Sequence, residues 1–252
     1  MKLLTLARDL KRRKAREKHR LFVAEGVRAV EELLRSPLPI KGALVAPQLL
    51  DAPRGAALAD ALRGRGVDVE DVAANEFGSA AETESPQGVI AIAEVPQRSL
   101  EDLSNGWKGV LLVLDAVQDP GNVGAIVRTA AALGAVATIA LPGTVDLWNA
   151  KVVRSGMGAH FHHAAFSSTW AEVDTFLEQS GTKLFAADPA GETASSVPTP
   201  DRVALVVGNE GAGLSSETRA RADRTIALSL DPKVESLNVA VATGILLYLL
   251  GR

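Results

Sequence analysis

The 252-residue sequence contains no cysteine, which excludes disulfides, thiolate metal sites and a cysteine nucleophile. It also lacks an N-terminal apolar signal segment and any apolar run of membrane-spanning length, so a cytoplasmic protein with no membrane partner is expected. No Gly-x-Gly-x-x-Gly turn follows the first strand of the second half; Gly211-Ala212-Gly213 comes after a late strand, which argues against a nicotinamide dehydrogenase. His160, His162 and His163 lie close together, but no cysteine joins them and Phe161 and Phe166 give the region the look of a strand. No metal is expected there.

What is present describes an ordinary globular chain, with 47 % hydrophobic and 23 % charged residues. Its length exceeds the roughly 100 to 200 residues of a usual single domain, so two compact domains are expected. We place them at residues 1–96 and 109–252, with a linker over 97–108 marked by Asn105 and Gly106.

The formal net charge is only −3, yet it is unevenly spread. Residues 1–20 carry nine Lys or Arg against Asp9 and Glu17, a local balance of +7 that leaves −10 on the rest of the chain. A basic arm on an acidic body is the footprint of phosphate contact at one end; a solvated N-terminal helix fits the same run. After it, short strands at 22–24, 43–45, 67–69 and 89–93 alternate with helices at 27–34 and 56–62, the pattern of a small α/β sandwich.

In the second half, strands are expected near 111–115, 136–140, 161–166, 184–187, 203–207 and 225–229, with helices between them. That is a doubly wound, mostly parallel sheet. The first strand, Leu111 to Leu114, is an unbroken apolar run of the kind buried on both faces. It empties into Asp119-Pro120-Gly121-Asn122-Val123-Gly124, where Pro120 and Gly121 turn the chain and Asn122 is placed to cap the next helix. Helical side chains lean towards the N-terminus, so Arg128 lies back over Gly124, whose missing side chain leaves room for it. Alone, this pattern is explained by helix packing and a solvated charge. Two more segments change the reading: Gly208-Asn209-Glu210-Gly211 closes the strand at 203–207, and Ser236-Leu237-Asn238-Val239 opens an apolar helix at the end of the chain.

Together and in this order, the three segments resemble the motifs of the SpoU (TrmH) branch of the SPOUT class of RNA ribose methyltransferases, over residues 110–252. The resemblance implies an α/β fold whose C-terminal, mostly parallel sheet is trefoil-knotted, and S-adenosylmethionine as cofactor. It assigns catalytic roles to Arg128, Asn122, Glu210, Ser236 and Asn238, with Glu210 fixing Arg128 and Asn122 orienting Arg128 or the ribose. It assigns cofactor contacts to Val207, Gly208, Asn209, Gly211, Leu228, Leu230, Ser236 and Leu237. An N-cap role competes for Ser236 and Asn238. The loop before Ser236 departs from the family's Ile-Pro-Met-x-Gly form, with Ser229 where proline is usual and Pro232 where glycine is usual.

The resemblance also implies a homodimer with a shared active site and a partly interfacial last helix. The first half, through Phe22-Val23-Ala24-Glu25-Gly26 and Ser85-Pro86-Gln87-Gly88-Val89, resembles a ribosomal-protein-like substrate-binding domain. The expected partner is RNA, with ribosomal RNA, and the large subunit's in particular, favoured over tRNA. Arg12, Arg13, Lys14, Arg16, Lys18, Arg20, Lys151 and Arg154 are its candidate contacts. The competing reading is a non-catalytic RNA-binding or ribosome-associated module that kept the fold, which the altered 228–232 loop favours.

Overall fold

A computed structural model describes residues 2–103 and 106–251. The chain divides into two compact units, Met1–Pro96 with Trp148–His162, and Gln97–Leu147 with His163–Arg252. The segment 148–162, read from the sequence as part of the second domain, thus clusters with the first half of the chain.

In the first unit the basic N-terminal run folds into two helices, α1 (Leu3–Asp9) and α2 (Arg13–His19), and is not a free arm. The reason is apolar: Leu3, Leu4, Leu6, Ala7 and Leu10 recur at helical spacing and join a core with Phe77, Ile90 and Ile92. Glu70 accepts the N–H of Leu3 at 2.8 Å, satisfying one of the donors a helix start leaves open. Arg16, expected among the RNA contacts, is buried. Its guanidinium donates to the carbonyls of Leu10 and Lys11 at 2.7 and 2.9 Å and ties the end of α1 to α2.

Next come β1 (Leu21–Glu25), α3 (Val27–Arg35), β2 (Ile40–Val45), α4 (Pro53–Gly64), β3 (Val69–Asp71), α5 (Ala74–Ala80) and β4 (Val89–Glu94). The four strands form one sheet in the order β1-β4-β2-β3. β4 is antiparallel to both neighbours, and β2 and β3 are parallel.

The second unit holds β5 (Gly109–Leu114), α6 (Pro120–Ala132) and β6 (Ala137–Ala140). The chain then leaves for the first unit, where α7 (Ala150–Gly156) contacts β1. It returns as β7 (Ala165–Ser167), α8 (Trp170–Ser180), β8 (Lys183–Thr193), β9 (Arg202–Val207), α9 (Ser216–Arg221), β10 (Arg224–Ala227) and α10 (Val239–Leu250). All six strands are parallel, in the order β10-β8-β9-β5-β6-β7. The α/β fold and the parallel sheet are as expected.

Three local expectations need correction. The strand expected over 161–166 begins only at Ala165, because Ala159–Phe161 forms a 3₁₀ turn. A strand would send His160 and Phe161 to opposite faces. Both are buried within the first unit, Phe161 5.7 Å from the Phe22 ring and His160 5.7 Å from Trp148. The expected linker carries a 3₁₀ turn, Leu100–Asp102, closed by a capping box at Ser99, and Leu100 and Trp107 are buried in the second unit's core. Asn105 lies outside the described residues. Finally, the helix cap assigned to Asn122 belongs to Asp119, whose carboxylate accepts the N–H of Asn122 at 2.8 Å.

Candidate active site

β5 and β9 are neighbours in the sheet, and the chain leaves them in opposite directions, from β5 to β6 and β7 on one side and from β9 to β10 at the other edge. Such a switch point leaves a crevice at the carboxyl ends of the strands. The segments that leave β5 at Leu114 and β9 at Val207 carry Asn122 and Glu210.

Because Asp119 caps α6 and Pro120 occupies its first turn, the side chain of Asn122 is released from capping. Its amide nitrogen donates to Glu210 Oε1 at 3.1 Å, and its oxygen accepts from Asn238 Nδ2 at 2.9 Å. Three segments far apart in sequence are thereby joined by one chain of hydrogen bonds. Asn238 fills both roles that competed for it: its oxygen caps α10 by accepting from the N–H of Ala240 and Val241, and its nitrogen reaches Asn122.

Glu210 also accepts from the backbone N–H groups of Asp119 at 3.0 Å and Gln118 at 3.2 Å. Partial burial pushes its carboxyl pKa up, but its own backbone N–H, the Asn122 amide and these two donors outweigh that, so it lies below the usual carboxylate range. It is a fixed anion at neutral pH. Arg128 is exposed on α6, six residues beyond Asn122. At about 100° per residue, that turns it about 120° away from the Asn122 side of the helix.

Beside this chain of bonds lies a cleft lined by Val207, Gly208, Asn209, Leu228, Leu230, Ser236 and Leu237, which are seven of the eight residues expected to hold a cofactor. Gly211 is not among the lining residues. Asn209 presents only part of itself: its side chain is spent on the Ala116 carbonyl and on the N–H groups of Gly211 and Ala212, pinning two loops. Glycine is required at 208, where a β-carbon would come within 2.6 Å of the Gly213 backbone. The departures from the family pattern fall at the cleft's rim. Ser229 Oγ lies 3.4 Å from Thr193 Oγ1, and Asp231 closes a turn by accepting the N–H of Lys233.

The sequence reading missed Ala187, Asp188 and Pro189, which form one wall. They bulge from β8, whose pairing with β10 jumps from Ala186 to Glu192. Pro189 within an otherwise strand-like run was the available signal. Asp188 accepts from Arg219 Nε at 2.7 Å. Burial raises its pKa, but the Ala190 N–H and the Arg219 guanidinium outweigh that and leave it below the ordinary range.

The remaining candidates lie elsewhere. Arg12, Arg13, Lys14, Lys18 and Arg20 are exposed in the first unit, Arg12 paired with Asp9 and Arg13 with Glu17. Lys151 and Arg154 are exposed on α7. Among the described residues no group of three or more His, Asp or Glu side chains is arranged to hold a metal ion. His163 donates to or accepts from Thr138 Oγ1 at 2.9 Å, and burial lowers its pKa to about 4. No described helix is long and apolar enough to cross a membrane.

The family model of the SpoU rRNA methylases matches residues 109–248, and that of the MRM3-like substrate binding domain matches residues 5–91. The chain belongs to the SpoU rRNA methylase family. It is 35 % identical over 247 residues to the 23S rRNA (guanosine(2553)-2'-O)-methyltransferase RlmP of Bacillus subtilis, covering 96 % of this chain and 92 % of that one. An AdoMet-bound rRNA methyltransferase from Sinorhizobium meliloti superposes with a TM-score of 0.85 at 29 % identity, over 98 % of this chain and 93 % of that one. The SpoU methyltransferase AviRb of Streptomyces viridochromogenes, in complex with AdoMet, gives 0.88 at 26 % identity, over 100 % and 97 %.

Proposed function

We propose that this chain methylates a ribose 2'-hydroxyl of large-subunit ribosomal RNA, with S-adenosylmethionine as donor, in the cytoplasm. The observation that carries the reading is the hydrogen-bonded chain Asn238–Asn122–Glu210 set beside the cleft. The family and the relatives named as 23S rRNA methyltransferases support the substrate class, and a separate N-terminal substrate-binding domain over residues 5–91 suits a large structured RNA.

The cleft suits the donor. Val207, Leu228, Leu230, Leu237 and Leu246 offer apolar walls for an adenosyl group, Asp188 and Ser236 offer polar ends, and Gly208 and Gly213 keep side chains out of the floor. When bound, S-adenosylmethionine supplies an electrophilic methyl group on its sulfonium.

The residues of the chain then have to orient the ribose oxygen, since a displacement at carbon depends on alignment. Arg128 binds the nucleotide's phosphate and stabilises the oxygen as negative charge develops on it. A guanidinium keeps its proton and offers only donors, so it is poorly suited to take the hydroxyl proton itself. Glu210 stays ionised and holds Asn122, which with Asn238 fixes the edge of the site.

Arg128 faces away from Asn122, which supports a homodimer in which the arginine of one copy serves the cleft of the other. The second copy suits α10, where Val241, Ile245 and Tyr248 are large apolar residues left exposed at helical spacing. The trefoil knot belongs to the same reading.

Incorporation of labelled methyl from S-adenosylmethionine into unmodified rRNA and tRNA, followed by nucleoside analysis, tests the proposal. Label in a 2'-O-methylated nucleoside of rRNA, lost in Arg128→Ala, is expected. A protein that binds RNA but not the cofactor would be a binding module, and the enzyme reading would fall.

A further inference from the structure

The first unit contains a second cavity, of about 350 Å³, lined by Glu25, Gly26, Arg28, Ala29, Thr83, Ser85, Gln87, Arg154 and Met157. We propose that it is a specific site for one unstacked nucleotide of the substrate RNA, with Arg28 and Arg154 holding its phosphate. The inference rests on the RNA methyltransferase reading and adds a place where the substrate is gripped.

The cavity is a rigid construction. Glu25, buried at the end of β1, accepts the N–H groups of Glu82 at 2.7 Å and Thr83 at 3.3 Å as well as the Thr83 hydroxyl. Gln87 Oε1 accepts the N–H of Val27 at 2.9 Å, at the start of α3. The loop that carries Ser85 is therefore clamped at both ends onto the β1–α3 turn.

The lining carries two arginines against one carboxylate, Glu25. Of the acids on α3, Glu31 is bonded to Arg54 at 2.6 Å and feels Arg28 only through space, and Glu32 is bonded to Arg35 at 2.7 Å. The Glu25 carboxylate is occupied by the 82–83 segment. Among the described residues no side-chain hydrogen bond or ion pair of Arg28 or Arg154 is present, and both are exposed. Two guanidinium groups with unspent donors at one cavity match the planar, bidentate chemistry of a phosphodiester.

The rest of the lining suits what a phosphodiester brings with it. Ala29 and Met157 provide an apolar surface for a base, and the Ser85 hydroxyl and the Gln87 amide nitrogen are polar groups for its edge or for the ribose. The volume lies within the roughly 300 to 1,000 Å³ of small-ligand sites. Unstacked loop nucleotides are the usual targets of specific RNA recognition.

The test is equilibrium binding of the full-length protein to unmodified 23S rRNA over a range of salt, beside cofactor binding and methyl transfer. Arg28→Gln and Arg154→Gln should each weaken RNA binding by about tenfold and reduce the slope of log K against log salt by roughly 0.7 to 1. The double variant should lose less than the sum, because both hold one phosphate. Ser85→Asp, which leaves both arginines in place, should weaken binding similarly. Cofactor binding and melting temperature should not change. Normal affinity and salt slope in all these variants, with methyl transfer intact, would overturn the site while leaving the enzyme reading standing. A wild-type protein that binds no rRNA would sink both.

Discussion

Asn238 donates its side-chain amide to Asn122 at 2.9 Å across 116 residues of sequence. The bond joins the start of the last helix to the start of α6, and through Asn122 to the carboxylate of Glu210. Asn122→Ala removes both bonds at once while Asp119 continues to cap the helix. A hydrogen bond to a charged group is worth roughly 1.5 to 3 kcal/mol, so methyl transfer should fall about 10- to 100-fold. Single-turnover rates measured beside the melting temperature check this. An unchanged rate would remove Asn122 from the site.

Gly208 lies where a β-carbon would come within 2.6 Å of Gly213 backbone atoms and 2.8 Å of the Leu214 nitrogen. Backbone cannot move aside as a flexible side chain can. Gly208→Ala should therefore cost about 1 to 3 kcal/mol of stability and disturb the cleft it lines, which calorimetric cofactor titration and chemical denaturation would both register. A variant with wild-type stability and cofactor affinity would contradict the packing seen at this turn.

Among the basic residues of the N-terminal helices, burial separates two kinds of effect. Arg16→Ala leaves the carbonyls of Leu10 and Lys11 without their donor and should destabilise the protein by about 2 to 3 kcal/mol. Lys14→Ala and Lys18→Ala alter exposed side chains. Their stability should stay within about 0.5 kcal/mol of wild type, with any loss appearing in the salt dependence of RNA binding. Urea denaturation distinguishes the two classes.

His163 is held neutral in the folded protein by burial, with a pKa lowered to about 4. The unfolded chain takes up that proton near pH 6.5, so it binds more protons than the folded one between these values, and stability falls as pH falls. Above pH 6.5 the contribution is fully present; by pH 4 the loss is on the order of 2 to 3 kcal/mol. His163→Gln should flatten this part of the pH–stability curve. A slope identical to wild type would rule out His163 as its source.

Much of the second unit was legible in the sequence because parallel strands buried on both faces are unbroken apolar runs. Leu111 to Leu114 and Val203 to Val207 show this directly. The loops that line the cleft were legible only through the family motifs. The wall at Asp188 was marked only by Pro189, which signals an interrupted strand but not that the bulge turns into a cleft. The Asn122 cap failed for a related reason: Asp119 and Asn122 are both good caps, and only the position of Pro120 in the first turn decides between them.

The sequence by itself determined the class of fold, the apolar strands, the three ordered motifs and the basic N-terminal run, all of which are local patterns of side-chain type. Tertiary structure decided which residues meet. It buried Arg16 while leaving its basic neighbours exposed, gathered residues 148–162 into the first unit, and brought Asn122, Glu210 and Asn238 to a common point. The last two depend on contacts between residues tens to more than a hundred positions apart, and the energies that select all of them exist only once the strands have paired and the helices have docked.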